Sequence, residues 1–165
     1  MLCVAFLTSF GDIYPYHVIS GTNKDKALAK VFKNNLTVTF READPAQIMF
    51  FGIIFDWAHD TFEKWLIEIG YQWKDWFKST SFMVPIRHTK ADYLHPLYPG
   101  ETYQVTVQVK SFGATSFTMK YIFSSPAKEH ALVEITHVVL DAKTLKPIPV
   151  PDSIREKFSP YLEIL

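Results

Sequence analysis

Hydrophobic and polar residues alternate along most of the second half of the chain, which is the pattern of half-buried β-strands. In "ETYQVTVQVK" (101–110), Tyr103 and three valines face one way, whereas threonine and glutamine face the other. The stretches 116–123 and 130–140 alternate in the same manner, and the stretch 82–94 does so less regularly. Turn-forming residues separate these runs, so the pattern predicts four consecutive strands.

The first half of the chain combines one strand with one long helix. "NLTVTFR" (35–41) alternates and is β-branched, so it predicts a strand. From Phe50 to Ile69 the polar residues fall near one helical stripe, and the apolar first half of this helix indicates burial. Gly70 is a suitable stop. Shorter helices are expected at 25–33, at 71–79 and at 151–158.

The order of these elements predicts the fold class. Consecutive strands with short connections favour an antiparallel sheet, and one long helix packed on that sheet gives an α+β architecture. A length of 165 residues suits one domain. We assign residues 35–165 to this domain and interpret residues 1–34 as an N-terminal extension.

Composition and charge narrow the functional classes. The 17 basic and 17 acidic side chains cancel, which argues against a broad nucleic-acid-binding surface. Cys3 is the only cysteine, so an intrachain disulfide is excluded and nothing points to an oxidising compartment. No uncharged run is long enough to span a membrane, and the apolar start lacks the basic residues of a signal peptide. The expected location is the cytoplasm.

The most informative local feature is Asp44, which stands immediately before the most hydrophobic segment. A carboxylate beside free helix N-terminal N–H groups can attack a carbonyl or activate water while the N–H groups hold the oxyanion. Asp44, Pro45 and Gln47 also have the residue types of a helix cap at positions N-cap, N1 and N3. Both interpretations remain open from spacing alone.

Five motifs, in order, resemble the hotdog-fold thioesterases of the 4-hydroxybenzoyl-CoA thioesterase-like group. They are "FREADPAQIMFF" (40–51), "WLIEIG" (65–70), "ADYLHPLYPGE" (91–101), "FGATSFTMKY" (112–121) and "KPIPVPDSIREKF" (146–158). The resemblance implies a hotdog fold, in which an antiparallel sheet wraps around one long central helix. It also implies an acyl-CoA thioesterase that cleaves its substrate to a free acid and coenzyme A.

The resemblance assigns roles to particular residues. It makes Asp44 the nucleophile or general base, with backbone N–H groups at Phe51 and Gly52 as oxyanion donors. The apolar segment from Phe50 to Phe55 predicts a pocket that prefers acyl groups without hydroxyls; the competing view is that His59 receives a hydroxyl. The expected substrate contacts are Phe50, Ile54 and His59 for the acyl group, and Lys110, Gly113, Thr115 and Ser116 for coenzyme A. No cofactor and no metal are expected.

Departures from the family pattern and two rival functions qualify this interpretation. Gln47 replaces the family's glycine, and Ile53 and Ile54 replace its usual Asn–Tyr pair. A hotdog hydratase or dehydratase would carry a histidine where this chain has Met49, which argues against that rival. A non-catalytic acyl-CoA-binding protein stays open.

The assembly and the histidine pairs complete the predictions. Hotdog domains of this group pair through sheet edges and place the site between subunits, so the resemblance implies a homodimer or a homotetramer.

The pairs His88/His95 and His130/His137 are each seven residues apart. An odd spacing points the two members of a strand pair to opposite faces, so neither pair suits a metal.

Overall fold

A computed structural model describes residues 29–164. Its main sheet has five strands, all antiparallel to their neighbours, in the order β1-β4-β5-β6-β3. The elements are β1 (Phe32–Thr37), α1 (Ile53–Glu68), α2 (Trp73–Phe77), β2 (Phe82–Met83), β3 (Ile86–Tyr93), β4 (Thr102–Phe112), β5 (Ser116–Ser124), β6 (Glu129–Val138), β7 (Leu140–Asp141) and α3 (Asp152–Phe158). Strands β2 and β7 form a separate pair. The α+β prediction is confirmed.

The long helix α1 lies against one face of the sheet and forms the core with it. Its buried side chains include Ile54, Trp57, Phe62 and Trp65. The alternating residues predicted to share a sheet face are buried on the face that packs against the helix: Tyr103, Val105, Val107, Val109, Phe117, Met119, Tyr121, Phe123, Val133, Ile135, His137 and Val139. The two-residue period of the sequence therefore identified the inner face correctly.

Strand β1 differs from its predicted position because a side chain interrupts the pattern. The predicted strand 35–41 begins at Phe32 instead and ends at Thr37. Glu42 accepts hydrogen bonds from the Thr39 backbone N–H at 2.6 Å and the Thr39 hydroxyl at 2.8 Å, which turns the chain into a short 3₁₀ helix at Phe40–Glu42. Strand β1 thus includes three residues that the sequence assigned to the extension.

The remaining differences lie at the ends of elements. Of the predicted helix 25–33, residues 25–28 lie outside the described residues, and 29–33 are irregular chain and strand. The stretch 82–94 divides into β2 and β3, and 130–140 divides into β6 and β7. Helix α1 ends as expected before Gly70, whose φ of +83° is the left-handed conformation that favours glycine.

Candidate active site

Asp44 lies in a tight turn between Ala43 and Met49, which pair as an isolated antiparallel bridge. The Asp44 N–H donates to the Ile48 carbonyl at 2.9 Å, and the Asp44 carbonyl accepts from the Gln47 N–H at 2.9 Å. The Asp44 side chain closes the turn, because its Oδ1 accepts the Ala46 N–H at 2.8 Å. One carboxylate oxygen is therefore engaged in the turn, and Oδ2 is available to a substrate.

The helix-cap interpretation of Asp44 is wrong. Helix α1 begins at Ile53, and Gly52 is its N-cap residue. The Met49 N–H donates to the Leu97 carbonyl and the Phe50 N–H donates to the Glu42 carbonyl, both at 2.8 Å. These two bonds hold Met49 and Phe50 outside the helix, so α1 begins later than the sequence predicted.

Gln47 occupies a strained position in this turn. Its φ is +64°, in the left-handed region that a side chain other than glycine or asparagine seldom adopts. This explains, in physical terms, why a glycine fits this place in the resembling motif. The turn keeps its hydrogen bonds here despite the substitution.

Glu42 joins the Asp44 turn to the helix. Besides binding Thr39, its Oε1 accepts the Trp57 indole N–H at 3.0 Å. Burial alone would raise the pKa of Glu42, but the hydrogen bonds from Thr39 and Trp57 and the charge of Arg41 outweigh it and lower that pKa. Glu42 is therefore held ionised, and it ties β1, the turn and α1 into one unit.

The N-terminus of α1 presents the expected donors. Within residues 29–164, neither the Phe51 N–H nor the Gly52 N–H donates a hydrogen bond to the protein. The Tyr93 hydroxyl, at the end of β3, donates to the Phe51 carbonyl at 2.6 Å. Because this carbonyl and the Gly52 N–H belong to one planar peptide, Tyr93 fixes the rotation of that peptide. The positive end of the helix dipole lies at the same place.

Asp44 and Phe51 line one open cleft of about 530 Å³, within the size range of small-molecule sites. The cleft wall also includes Tyr93 and His95, and its other lining residues are apolar: Ile48, Met49, Leu94, Pro96 and Leu97. A carboxylate, two free N–H groups and an apolar wall can together bind an acyl group and polarise its carbonyl.

The other residues predicted around the acyl group occupy different positions. Phe50 is 45% exposed and packs on Phe51, with ring centroids 4.6 Å apart. Ile54 has no exposed surface and supports the helix from inside the core. His59 lies on the second turn of α1, where its Nε2 is 3.3 Å from Glu63 Oε1. None of the three lines the cleft.

The residues predicted to contact coenzyme A form a second cluster at the other end of the sheet. The Gly113 N–H donates to the Ser116 carbonyl at 2.8 Å, and the Thr115 carbonyl accepts from Val139 at 2.8 Å. A Cβ at Gly113 would lie 2.8 Å from Ser116 Oγ, so a larger residue there requires this hydroxyl to move. Lys110 is close by on β4 but is paired with Glu134 at 2.5 Å.

Strand register separates the two clusters within one chain. The Leu97 carbonyl, five residues before β4 begins at Thr102, accepts the Met49 N–H of the Asp44 turn at 2.8 Å. Phe112 ends the same strand at Gly113. Eleven strand residues span roughly 33 Å at about 3.3 Å each, so one chain does not bring both clusters to one thioester.

The two histidines of the pair on β6 lie in different surroundings. His137 faces the helix, stacked between Phe62 and Phe117 at centroid distances of 4.9 and 5.0 Å. His130 is buried by the loop beyond β3, where Nδ1 is 2.8 Å from the Pro96 carbonyl oxygen. Among residues 29–164, no group of three or more His, Cys, Asp or Glu side chains is arranged to hold a metal. In the same range no helix is long and apolar enough to cross a membrane.

Three residues of this region were missed by the sequence analysis as site residues. Tyr93 and His95 lie inside the quoted motif 91–101, so the motif was recognised while their positions in the cleft were not. Glu42 precedes Asp44 by two residues, and its role depends on Trp57, fifteen residues later. No local spacing rule relates these two positions.

Comparison with known proteins defines the class. The model of the thioesterase-like superfamily matches residues 38–158. A 1,4-dihydroxy-2-naphthoyl-CoA hydrolase of Prochlorococcus marinus is 30% identical over 117 residues, covering 67% of this chain and 78% of its own. One from Thermosynechococcus vestitus is 24% identical over 119 residues, covering 72% and 82%. A 1,4-dihydroxy-2-naphthoyl-CoA thioesterase structure from Synechocystis superposes with a TM-score of 0.72 at 20% identity, covering 79% and 96%.

The fold is therefore the hotdog fold, with its antiparallel sheet around a central helix. The chain belongs to the thioesterase-like superfamily, and it is a thioester hydrolase. Both statements confirm what the five sequence motifs implied.

Proposed function

We propose that this chain hydrolyses aromatic acyl-CoA thioesters, with 1,4-dihydroxy-2-naphthoyl-CoA as the leading candidate. The observation that carries the proposal is the single cleft shared by Asp44 and Phe51, next to free N–H groups at the start of α1. The names of the relatives supply the acyl group. This choice replaces the earlier expectation of an acyl group without hydroxyls.

The reaction follows from the charges in the cleft. The thioester carbonyl oxygen accepts the Phe51 and Gly52 N–H groups, which stabilise the negative charge that develops on it. Asp44 then acts in one of two ways. As a base it takes a proton from water, whose oxygen attacks the carbonyl carbon; as a nucleophile it forms a mixed anhydride that water subsequently cleaves. In both routes the C–S bond breaks, and the products are the acid and the coenzyme A thiol.

We also propose that the complete site is shared between two copies. Strand β3 is an edge strand, and seven of its eight residues are exposed. The edge strand on the other side, β1, is continued by the C-terminal segment, where Leu162 pairs with Val109. An open edge favours pairing, and antiparallel pairing of two β3 strands brings the Tyr93 end of one near the Ile86 end of the other. The partner's Gly113 turn then approaches the Asp44 cleft and contacts coenzyme A.

The rival hydratase chemistry has no support at the position that would need a histidine. Met49 is 5% exposed and belongs to the core. A hydratase at this place would lack a group that can deliver a proton.

The test is release of free coenzyme A thiol from a panel of acyl-CoAs by the purified full chain. The panel contains 1,4-dihydroxy-2-naphthoyl-, benzoyl-, 4-hydroxybenzoyl- and octanoyl-CoA. Turnover of the aromatic members well above the aliphatic one is the expected result. Tight binding of these ligands without thiol release would replace the proposal with the non-catalytic acyl-CoA-binding function.

A further inference from the structure

His95 is a second cleft residue, after Asp44, whose side chain keeps a polar atom with no use in the fold. It lies two residues after the end of β3 and lines the cleft with Asp44, Phe51 and Tyr93. Its backbone N–H donates to the His130 carbonyl at 3.0 Å, and its Nδ1 lies 2.8 Å from the Glu129 carbonyl oxygen. Two bonds to the start of β6 therefore fix the position of its ring.

These contacts settle the tautomer of neutral His95. A carbonyl oxygen only accepts hydrogen bonds, so Nδ1 must carry the hydrogen and Nε2 must be the acceptor. Within residues 29–164, Nε2 of His95 has no hydrogen-bond partner. His130 provides the contrast, because its Nδ1 contacts the Pro96 carbonyl oxygen at 2.8 Å and its Nε2 contacts Ser125 Oγ at 3.1 Å. His130 is structural, whereas His95 keeps one nitrogen for a ligand.

A hydroxyl entering this cleft meets few other acceptors. The Asp44 carboxylate is needed at the thioester carbonyl, and the Tyr93 hydroxyl, which gives its hydrogen to the Phe51 carbonyl, offers only its oxygen as an acceptor. The rest of the lining is apolar. His95 is exposed at this open cleft, and once a bound ring covers it a hydroxyl without a partner is costly, so an acceptor in an apolar wall favours hydroxylated over plain rings.

We propose that His95 Nε2 accepts a hydrogen bond from a ring hydroxyl of the acyl group and thereby selects hydroxylated aryl thioesters. This assignment rests on the proposed thioesterase function and adds a specificity-determining residue to it. His59, which the sequence offered for the same role, lies outside the cleft and contacts Glu63 instead.

Two substitutions test the contributions of the two ring nitrogens of His95 separately. In His95→Asn, the side-chain amide can reproduce the Nδ1 donor to Glu129 but leaves nothing at the Nε2 position. In His95→Gln, the longer side chain can place a carbonyl oxygen near the Nε2 position. The measured quantity is the ratio of kcat/KM for 1,4-dihydroxy-2-naphthoyl-CoA to that for 2-naphthoyl-CoA, with the melting temperature as a check on folding.

Wild type should favour the hydroxylated substrate by about tenfold or more, in keeping with the cost of an unpaired hydroxyl. His95→Asn should bring the ratio close to one by lowering kcat/KM for the hydroxylated substrate more than that for 2-naphthoyl-CoA, and His95→Gln should keep part of the preference. An unchanged ratio in His95→Asn overturns the assignment, while turnover by wild type leaves the thioesterase function standing.

Equilibrium binding gives a reading that does not depend on turnover. The same two thioesters are titrated into Asp44→Asn and into Asp44→Asn/His95→Asn. Stronger binding of the hydroxylated ligand to the first variant, lost in the second, supports the role of His95 even if no hydrolysis is found. Equal discrimination by both variants rejects it.

Discussion

At the scale of single residues, Tyr93 shows how the sheet positions the start of the helix. Its hydroxyl holds the Phe51 carbonyl at 2.6 Å, and burial raises the pKa of Tyr93, so the phenol stays protonated as a donor. The peptide it holds carries the Gly52 N–H. We therefore assign Tyr93 a positioning role for the oxyanion donors.

Tyr93→Phe tests this role while keeping the ring. Loss of a hydrogen bond worth roughly 1 kcal/mol should lower kcat about fivefold to tenfold, with little change in KM. The side chain is 46% exposed, so the melting temperature should shift only slightly. Steady-state kinetics with the best acyl-CoA measures the effect. An unchanged kcat would remove Tyr93 from the account.

Residue identities were easier to predict than residue roles. Asp44 was singled out because a carboxylate before an apolar helix is unusual, and of its two interpretations the helix cap was wrong. The sequence contains the right cap residues at the right spacing. What decides against the cap is the set of non-local bonds from Met49 to Leu97 and from Phe50 to Glu42, which no local pattern encodes.

At the scale of secondary-structure elements, alternation and helical periodicity predicted the inner faces of β4, β5 and β6 and the burial of α1. These signals come from burial, which repeats along each element. The ends of elements were less predictable. Strand β1 stops where Glu42 captures Thr39, and β2 separates from β3 at Pro85, both of which depend on single residues.

His137 links β6 to α1 and makes stability depend on pH. Burial lowers the pKa of His137 from 6.5 to about 4, and the charge of His59 adds to this shift. The Val84 backbone near His137 acts in the opposite direction and raises this pKa. Within residues 29–164, neither ring nitrogen of His137 has a hydrogen-bond partner of good geometry. Between pH 6.5 and 4 the unfolded chain binds a proton at this site and the folded chain does not. Stability at this site is therefore retained above pH 6.5 and lost as the pH falls towards 4.

His137→Phe should remove this dependence while keeping a ring between Phe62 and Phe117. From pH 7 to pH 5, the free energy of unfolding should fall by roughly 2 kcal/mol less in the variant than in wild type. Urea denaturation at the two pH values measures the difference. Equal pH dependence in wild type and His137→Phe would show that His137 titrates normally in the fold.

At the scale of the whole molecule, one chain holds the Asp44 turn and the Gly113 turn at opposite ends of its sheet. The sequence motifs included both turns but contained no information on their separation, which follows from the length and register of β4. An account with one active site therefore requires a second copy. Light scattering should give the mass of at least two chains at micromolar concentration.

Mixing two inactive variants tests the shared site. Asp44→Asn disables the site at the Asp44 turn, and Gly113→Leu is chosen to disrupt the Gly113 turn, because its Cβ would lie 2.8 Å from Ser116 Oγ and the leucine adds bulk beyond it. Random assembly makes half of the dimers mixed, each with one intact site, so activity should return to about a quarter of wild type. Mixing Asp44→Asn with Asp44→Ala, which share a half-site, should restore nothing. Failure of the first mixture, with both variants folded and exchanging subunits, would contradict the shared site.

The proposed role of the Asp44 carboxylate in cleaving the thioester is tested by Asp44→Asn. Asparagine can keep the turn, because its side-chain oxygen can accept the Ala46 N–H that Asp44 accepts at 2.8 Å. The account predicts a near-normal melting temperature and hydrolysis of the best acyl-CoA reduced by about 10²-fold or more, as for loss of a positioned acid–base group. Asp44→Ala, which also loses the turn bond, should be no more active and less stable. Hydrolysis by folded Asp44→Asn within a few-fold of wild type would contradict the mechanism.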